Sequence, residues 1–185
     1  MMAMGGVDNV YLNTNEHYRA DVMVQSRDAR FIEWCQQKYP LHRYRRVAPI
    51  MASLRRIKQQ REIELLQRAC DITESGFRRV LKFLKPGVSE NEIEAEYIHE
   101  FLRLKSKGFA YGPIIASGAS NVILHYLENN KICKSGELVL LDVAAEYANY
   151  NADLTRTIPV SGQFTKRQKD VYNAVLRIQR EAFKM

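Results

Sequence analysis

Two carboxylates, Asp142 and Asp153, carry the chemistry most readily drawn from this sequence. The apolar run 138–141 ends in Asp142. A turn of small and polar residues follows, and Asp153 then opens a Thr/Arg-rich stretch that reaches Pro159. A hairpin centred between Tyr147 and Ala148 sets the two aspartates opposite each other. Opposed residues of an antiparallel pair share a face, with Cβ atoms about 5 Å apart. Carboxylates that close repel unless a proton or a cation lies between them. The geometry suits a cation held by oxygen ligands. Asp is also a common turn residue, and two beside a hairpin can simply be solvated. Against that, Asp142 ends a run that reads as a buried strand, where Asp is depleted. Spacing alone leaves both readings open.

The elements that must position this pair follow from periodicity. Over residues 59–85, Ile63, Leu66, Cys70, Phe77, Val80, Leu81 and Leu84 recur three and four apart, and Pro86 with Gly87 stops the helix. Ser89 and Glu92 form a capping-box pair. The helix they open buries Ile93, Tyr97, Ile98, Phe101, Leu102 and Leu104, and Lys105, Lys107 and Gly108 end it. Two helices with one apolar face each need a sheet to cover. Residues 111–117, 122–127 (with His125), 137–142 and 151–160 are the strand candidates. Thr165 with Gln168 caps a final helix whose apolar positions are Val171, Tyr172, Val175, Leu176 and Ile178. Upstream, residues 7–13 and 20–24 read as short strands, and 28–39 as an amphipathic helix stopped before Pro40. Residues 44–50 read as a strand that Pro49 marks as an edge or an end.

The chain has 185 residues, 46% hydrophobic and 26% charged, with a formal net charge of +7. That is the composition of a globular protein, enough for one domain or a domain plus a remnant. No apolar run nears the ~20 residues of a membrane span, and the N-terminus has no signal-peptide pattern, so no membrane association is expected. Cys35, Cys70 and Cys133 are far apart and odd in number. They form neither a metal spacing nor a disulfide framework, which favours a reducing, cytoplasmic setting. His17, His42, His99 and His125 show no paired spacing. Part of the positive excess lies in Arg43, Arg45, Arg46, Arg55, Arg56, Lys58 and Arg61. Tyr44 is the only aromatic inside that run, so a solvated linker is favoured over a nucleic-acid surface.

Four motifs in order carry a resemblance: Tyr111 to Gly118, Leu124-His125-Tyr126, Leu141-Asp142, and Asp153 to Thr157. Together they resemble the first half of the catalytic domain of the Xaa-Pro aminopeptidases (aminopeptidase P). These are pita-bread metallopeptidases, whose family also holds methionine aminopeptidase, prolidase and creatinase. Residues 57–63 resemble the start of that domain. The resemblance implies an α+β fold, with residues 54–185 as the first half of a pita-bread domain: helices packed on a curved, mostly antiparallel sheet. It makes residues 1–53 the remnant of an N-terminal domain.

The same resemblance implies two divalent metal ions, most often Mn²⁺, with Co²⁺ or Zn²⁺ able to substitute, held by two Asp, one His and two Glu. Asp142 takes the place of a two-oxygen ligand to one ion, and Asp153 that of the bridge between both. A water activated between the metals attacks the peptide carbonyl. His125 matches a histidine that hydrogen-bonds the substrate near the scissile amide. Tyr111 matches a residue lining the substrate pocket, and Thr155 a residue supporting the bridging carboxylate. Taken singly, His125 reads as a core or surface histidine, Tyr111 as a strand-end aromatic and Thr155 as a good strand former. The implied substrate is a peptide with proline second, and the implied assembly a homo-oligomer. One departure is Val143-Ala144 after the first Asp, where the family commonly has an aromatic or aliphatic residue and then Gly.

In the family the His and both Glu ligands follow the Asp pair, and His17, His42 and His99 all lie upstream of it. We therefore expect a fragment whose two aspartates alone are catalytically silent and whose apolar surface is left uncovered. Prolidase, which cuts Xaa-Pro dipeptides, is the nearest rival. Creatinase-type chemistry, which needs no metal, is disfavoured by the Asp pair. A binding module that keeps the fold and loses the ligands is the other class. The joint presence of Asp142, Asp153 and His125 argues against it.

Overall fold

The computed structural model describes residues 6–14 and 25–185. The chain divides into two compact units, Met1–Gln59 and Gln60–Met185. No helix among the described residues is long and apolar enough to cross a membrane.

In the first unit, β1 (Asn9–Leu12) and β2 (Arg43–Arg46) pair in parallel. The strand expected over residues 20–24 lies outside the described residues. Helix α1 (Arg27–Lys38) starts at Ser26, whose hydroxyl accepts from the Ala29 N–H at 3.1 Å. Residues 47–50 are not strand. They open helix α2 (Ala48–Arg56), with Pro49 in its first turn. There the missing N–H of proline has no intrahelical partner to lose, so the residue starts a helix as readily as it ends a strand.

In the second unit, helices α3 (Gln60–Phe83) and α4 (Glu90–Arg103) cross at Gly76. A Cβ there would stand 2.6 Å from Cε1 of Phe101. The packed face of α3 is Ala69, Ile72, Thr73, Gly76 and Val80, while Cys70 is exposed and Ile63 and Leu81 are about half exposed (49% and 47%). The apolar stripe holds in part, since Val80 is buried and Phe77 and Leu84 pack on the core, but it leaves out the small residues that make the close helix approach. The Ser89–Glu92 capping box is formed as the sequence predicts.

The sheets are β3–β6–β7 and β4–β5–β8, antiparallel throughout. Their strands are β3 (Gly108–Phe109), β4 (Ile114–Ser117), β5 (Leu138–Asp142), β6 (Ala145–Tyr147), β7 (Tyr150–Asn151) and β8 (Thr155–Pro159). Val139 and Leu141 of β5 join Ile72, Ile93, Phe101 and Ile115 in the core. Leu138, Leu140 and Asp142 alternate with them and are only partly buried. Asp142 thus points to the face turned away from the helix-side core. Helix α5 (Lys166–Ala182) opens with the expected Thr165–Gln168 capping box but buries none of its residues.

One register runs the length of the hairpin. Asp142 pairs with Thr155 and Glu146 with Asn151, and Val143 N–H donates to Leu154 O at 3.1 Å. The turn is Ala148-Asn149, both at positive φ (52° and 67°), the pattern of a two-residue hairpin loop. Its centre lies one place later than the sequence reading set it. A bulky Tyr147 resists the left-handed region, whereas Asn149 accepts it. Asp142 therefore faces Thr155, and Asp153 stands diagonally, two residues along. Moving the partner by two residues keeps the face, so the aspartates still share one.

Candidate metal centre

The hairpin's outer neighbour brings a third group to the pair. Phe109 pairs with Ala145, and Ala110 N–H donates to Ala144 O at 2.8 Å, but Ile114 already pairs with Asp142. Residues 111–113 therefore stand against Val143 alone. Extra residues bend a strand and re-aim a side chain. Here they bring Tyr111 over the aspartates. Its hydroxyl donates to Asp142 Oδ1 at 2.7 Å and lies 3.4 Å from Asp153 Oδ1. Burial, and then the hydrogen bond to Asp142, push the Tyr111 phenol well above its ordinary pKa, so it stays a donor.

Tyr111, His125, Asp142 and Asp153 line one open cavity of about 350 Å³, with Ile114 and Leu127 as its apolar wall. Asp142 is half-buried and Asp153 exposed. His125 is exposed too, but not on a strand. Residues 118–122 form a tight helical turn, and His125 follows it at φ 58°. Asn121 donates to Gly118 O at 2.7 Å and Leu138 O at 3.0 Å, which holds this loop on the end of β5. The apolar residues that suggested a strand there, Val122 and Leu124, are exposed (87% and 85%). Thr155 sits opposite Asp142 on the same face. Its hydroxyl makes no hydrogen bond to either aspartate among the described residues.

The hairpin is fastened to α3 by Thr73, whose hydroxyl accepts from the Ala145 N–H at 2.9 Å and donates to Ala69 O at 2.8 Å. Ala144 is buried in a small cluster with Ala69 and Ala152. Ala110, Tyr111 and Tyr147 pack against this cluster.

Two carboxylates reaching one hydroxyl offer hard oxygen donors on one side of an open cavity. That donor set fits part of a site for a hard divalent cation. Among the described residues, no three His, Cys, Asp or Glu side chains converge to complete such a site. Sequence reasoning placed Tyr111 in the pocket but missed its contact with both aspartates. The contact depends on the offset between neighbouring strands, and the only signal for it was Gly112-Pro113 interrupting a strand pattern.

Comparison with known proteins shows the family of the chain. Residues 64–185 match the model of metallopeptidase family M24. The Xaa-Pro aminopeptidase of Haemophilus influenzae is 39% identical over 137 residues, which cover 74% of this chain and 32% of the relative. That of Escherichia coli (strain K12) is 36% identical over 177 residues, covering 94% and 40%. Among solved structures, proline aminopeptidase P II from Yersinia pestis matches with a TM-score of 0.81 at 31% identity, covering 96% of this chain and 41% of that one. Zinc-substituted Escherichia coli aminopeptidase P in complex with product matches with a TM-score of 0.76 at 35% identity, covering 93% and 39%. The chain spans about a third to two fifths of the length of the curated relatives it matches.

Proposed function

The chain belongs to metallopeptidase family M24, and on that footing we propose that it carries the two-aspartate half of a dinuclear metal site that hydrolyses the N-terminal Xaa-Pro bond of peptides. The observation that carries this reading is the shared cavity: Tyr111, His125, Asp142 and Asp153, distant in sequence, line one space. Asp142 and Asp153 would be the ligands this chain supplies to the ions. Their hard oxygens favour Mn²⁺, with Co²⁺ or Zn²⁺ able to substitute. When bound, the ions supply Lewis-acid and nucleophile-generating chemistry for amide hydrolysis. His125 binds the substrate beside the scissile amide. Tyr111 orients Asp142 and lines the pocket, and Thr155, which bonds neither aspartate here, would support Asp153 with the ions bound. The unit from Gln60 is the start of the catalytic domain, and the unit before it the end of an N-terminal one. Three free thiols, Cys35, Cys70 and Cys133, suit a reducing compartment such as the cytoplasm.

Two carboxylates are too few to hold two ions firmly, so the 185-residue chain by itself does not turn over peptides. The test pairs a Mn²⁺ titration, followed by electron paramagnetic resonance, with a Xaa-Pro peptide assay. Weak saturable Mn²⁺ uptake, abolished in Asp142→Asn, with no hydrolysis, is the expected result. Turnover by the chain alone overturns the silent-half reading. Mn²⁺ uptake that Asp142→Asn leaves intact overturns the metal assignment.

A further inference from the structure

Helix α4 bonds to the segments that carry the cavity's lining through two carboxylates one turn apart, Glu90 and Glu94. Glu90 is fully buried. Its Oε1 accepts from the N–H and the hydroxyl of Ser117, both at 2.7 Å. Its Oε2 accepts from the Tyr126 hydroxyl at 2.8 Å and the Lys131 N–H at 2.9 Å. A carboxylate removed from water is tolerable only with its oxygens satisfied in this way. These bonds join the end of β4 to the loop 118–131 at two points, one of them the residue that follows His125. Tyr126 is itself 2% exposed.

Glu94, one turn further on, accepts from Asn129 Nδ2 at 2.9 Å. The same amide group donates to Pro113 O at 2.9 Å and, through Oδ1, accepts from the Ile115 N–H at 3.0 Å. Asn129 thus grips both sides of the junction between the 111–113 bulge and β4. His125 and Asn129 both lie at positive φ (58° and 43°), a region that residues with a Cβ seldom enter, though His and Asn enter it more readily than most. Glu90 and Glu94 anchor the loop on which both residues stand, Glu90 through Tyr126 and Lys131 and Glu94 through Asn129.

We propose that Glu90 and Glu94 are positioning residues for the metal centre: Glu90, through Tyr126, sets His125, and Glu94, through Asn129, sets Tyr111. The significance of those two targets rests on the aminopeptidase reading above, but their geometry can be measured without it. A purely structural staple would either change nothing locally when cut or loosen the whole unit. A positioning link fails locally and selectively.

The test uses nuclear magnetic resonance on the 185-residue chain, with Tyr126→Phe and Glu94→Ala. Core methyl shifts of Val139 and Leu141 report the fold. The His125 amide–Hα coupling and its ring proton shifts report one target. The Tyr111 ring shifts report the other. With the core unchanged, Tyr126→Phe should shift the His125 coupling and ring protons and leave Tyr111 in place. Glu94→Ala should move Tyr111 and leave His125. Glu90→Gln gives a second route to the first result, because its amide can still accept from Ser117 but opposes the Lys131 N–H with a donor. Variants that keep the core and leave both targets as in the parent chain overturn the proposal, and so does a variant that moves both targets equally. Mn²⁺ broadening of Asp142 and Asp153 is recorded on the unaltered chain. Its absence sinks the metal reading, while the positioning claim still stands or falls on the two local signals.

Discussion

At the scale of single residues, one phenol hydroxyl mediates between two carboxylates that otherwise repel. Tyr111 has one proton to give, and it goes to Asp142, at 2.7 Å rather than 3.4 Å. Asp153 is left with its charge uncompensated beside that pair. Like charges a few ångströms apart destabilise a fold by an amount that a neutral isostere recovers. Asp153→Asn should therefore raise the melting point of the metal-free chain, by the equivalent of ~1 kcal/mol or less at this exposed position. It should also weaken Mn²⁺ binding tenfold or more. Thermal melts with and without Mn²⁺ check both arms, and a variant that loses stability without losing metal affinity contradicts the assignment. The aspartates' common face was legible in the sequence because strand periodicity is two, and a turn misplaced by one residue moves the partner by two. The Tyr111 contact was not legible, because it depends on residues 111–113 standing against Val143 alone, an offset that only the neighbouring strand reveals.

At the scale of elements, the strongest local signals were the ones that held. Ser89 with Glu92 and Thr165 with Gln168 both close their capping boxes, since three-residue spacing dictates the bond whatever the tertiary setting. Signals with two meanings failed. Pro49 ends strands and starts helices, and residues 122–127 are largely apolar yet form no strand. The hairpin turn holds a further consequence. Ala148 sits at φ 52°, where a Cβ is disfavoured and Asn or Gly is not. Ala148→Asn should stabilise the unit by ~0.5–1 kcal/mol, seen as a higher denaturant midpoint at unchanged slope. No gain would mean that the turn differs from the one described. Gly76 predicts the reverse. Its missing Cβ lets Phe101 approach to 2.6 Å from that position, and Tyr97 to 3.0 Å. Gly76→Ala gains ~1 kcal/mol of helix propensity but overpacks the α3–α4 crossing at a typical cost of ~1–3 kcal/mol. Net destabilisation is expected, and a rise in the midpoint would show that the two helices can part without loss.

At the scale of the whole molecule, the response to acid follows from the brace between the two long helices. Glu100 of α4 is 5% exposed. It accepts from Arg103 at 2.5 and 3.0 Å and from the Ser75 hydroxyl of α3 at 2.7 Å, and Arg79 of α3 lies 3.8 Å away. Hydrogen bonds from Arg103 and then Ser75, reinforced by the two positive charges, hold its carboxyl at about 2 against an ordinary 4.5. A carboxyl with a lower pKa in the folded state binds fewer protons there than in the unfolded chain. Stability from this group is therefore complete above pH ~4.5 and is lost as pH falls towards ~2. The unit from Gln60 should destabilise progressively across that window. Glu100→Gln should lower stability at pH 7, by ~1–3 kcal/mol for a buried charge-assisted network, and flatten the acid limb because the titrating group is gone. Denaturant midpoints at pH 7, 4.5 and 3 in both proteins decide the matter. Parallel acid limbs would place the titration elsewhere, and an unchanged midpoint at pH 7 would show that the α3–α4 crossing does not depend on Glu100.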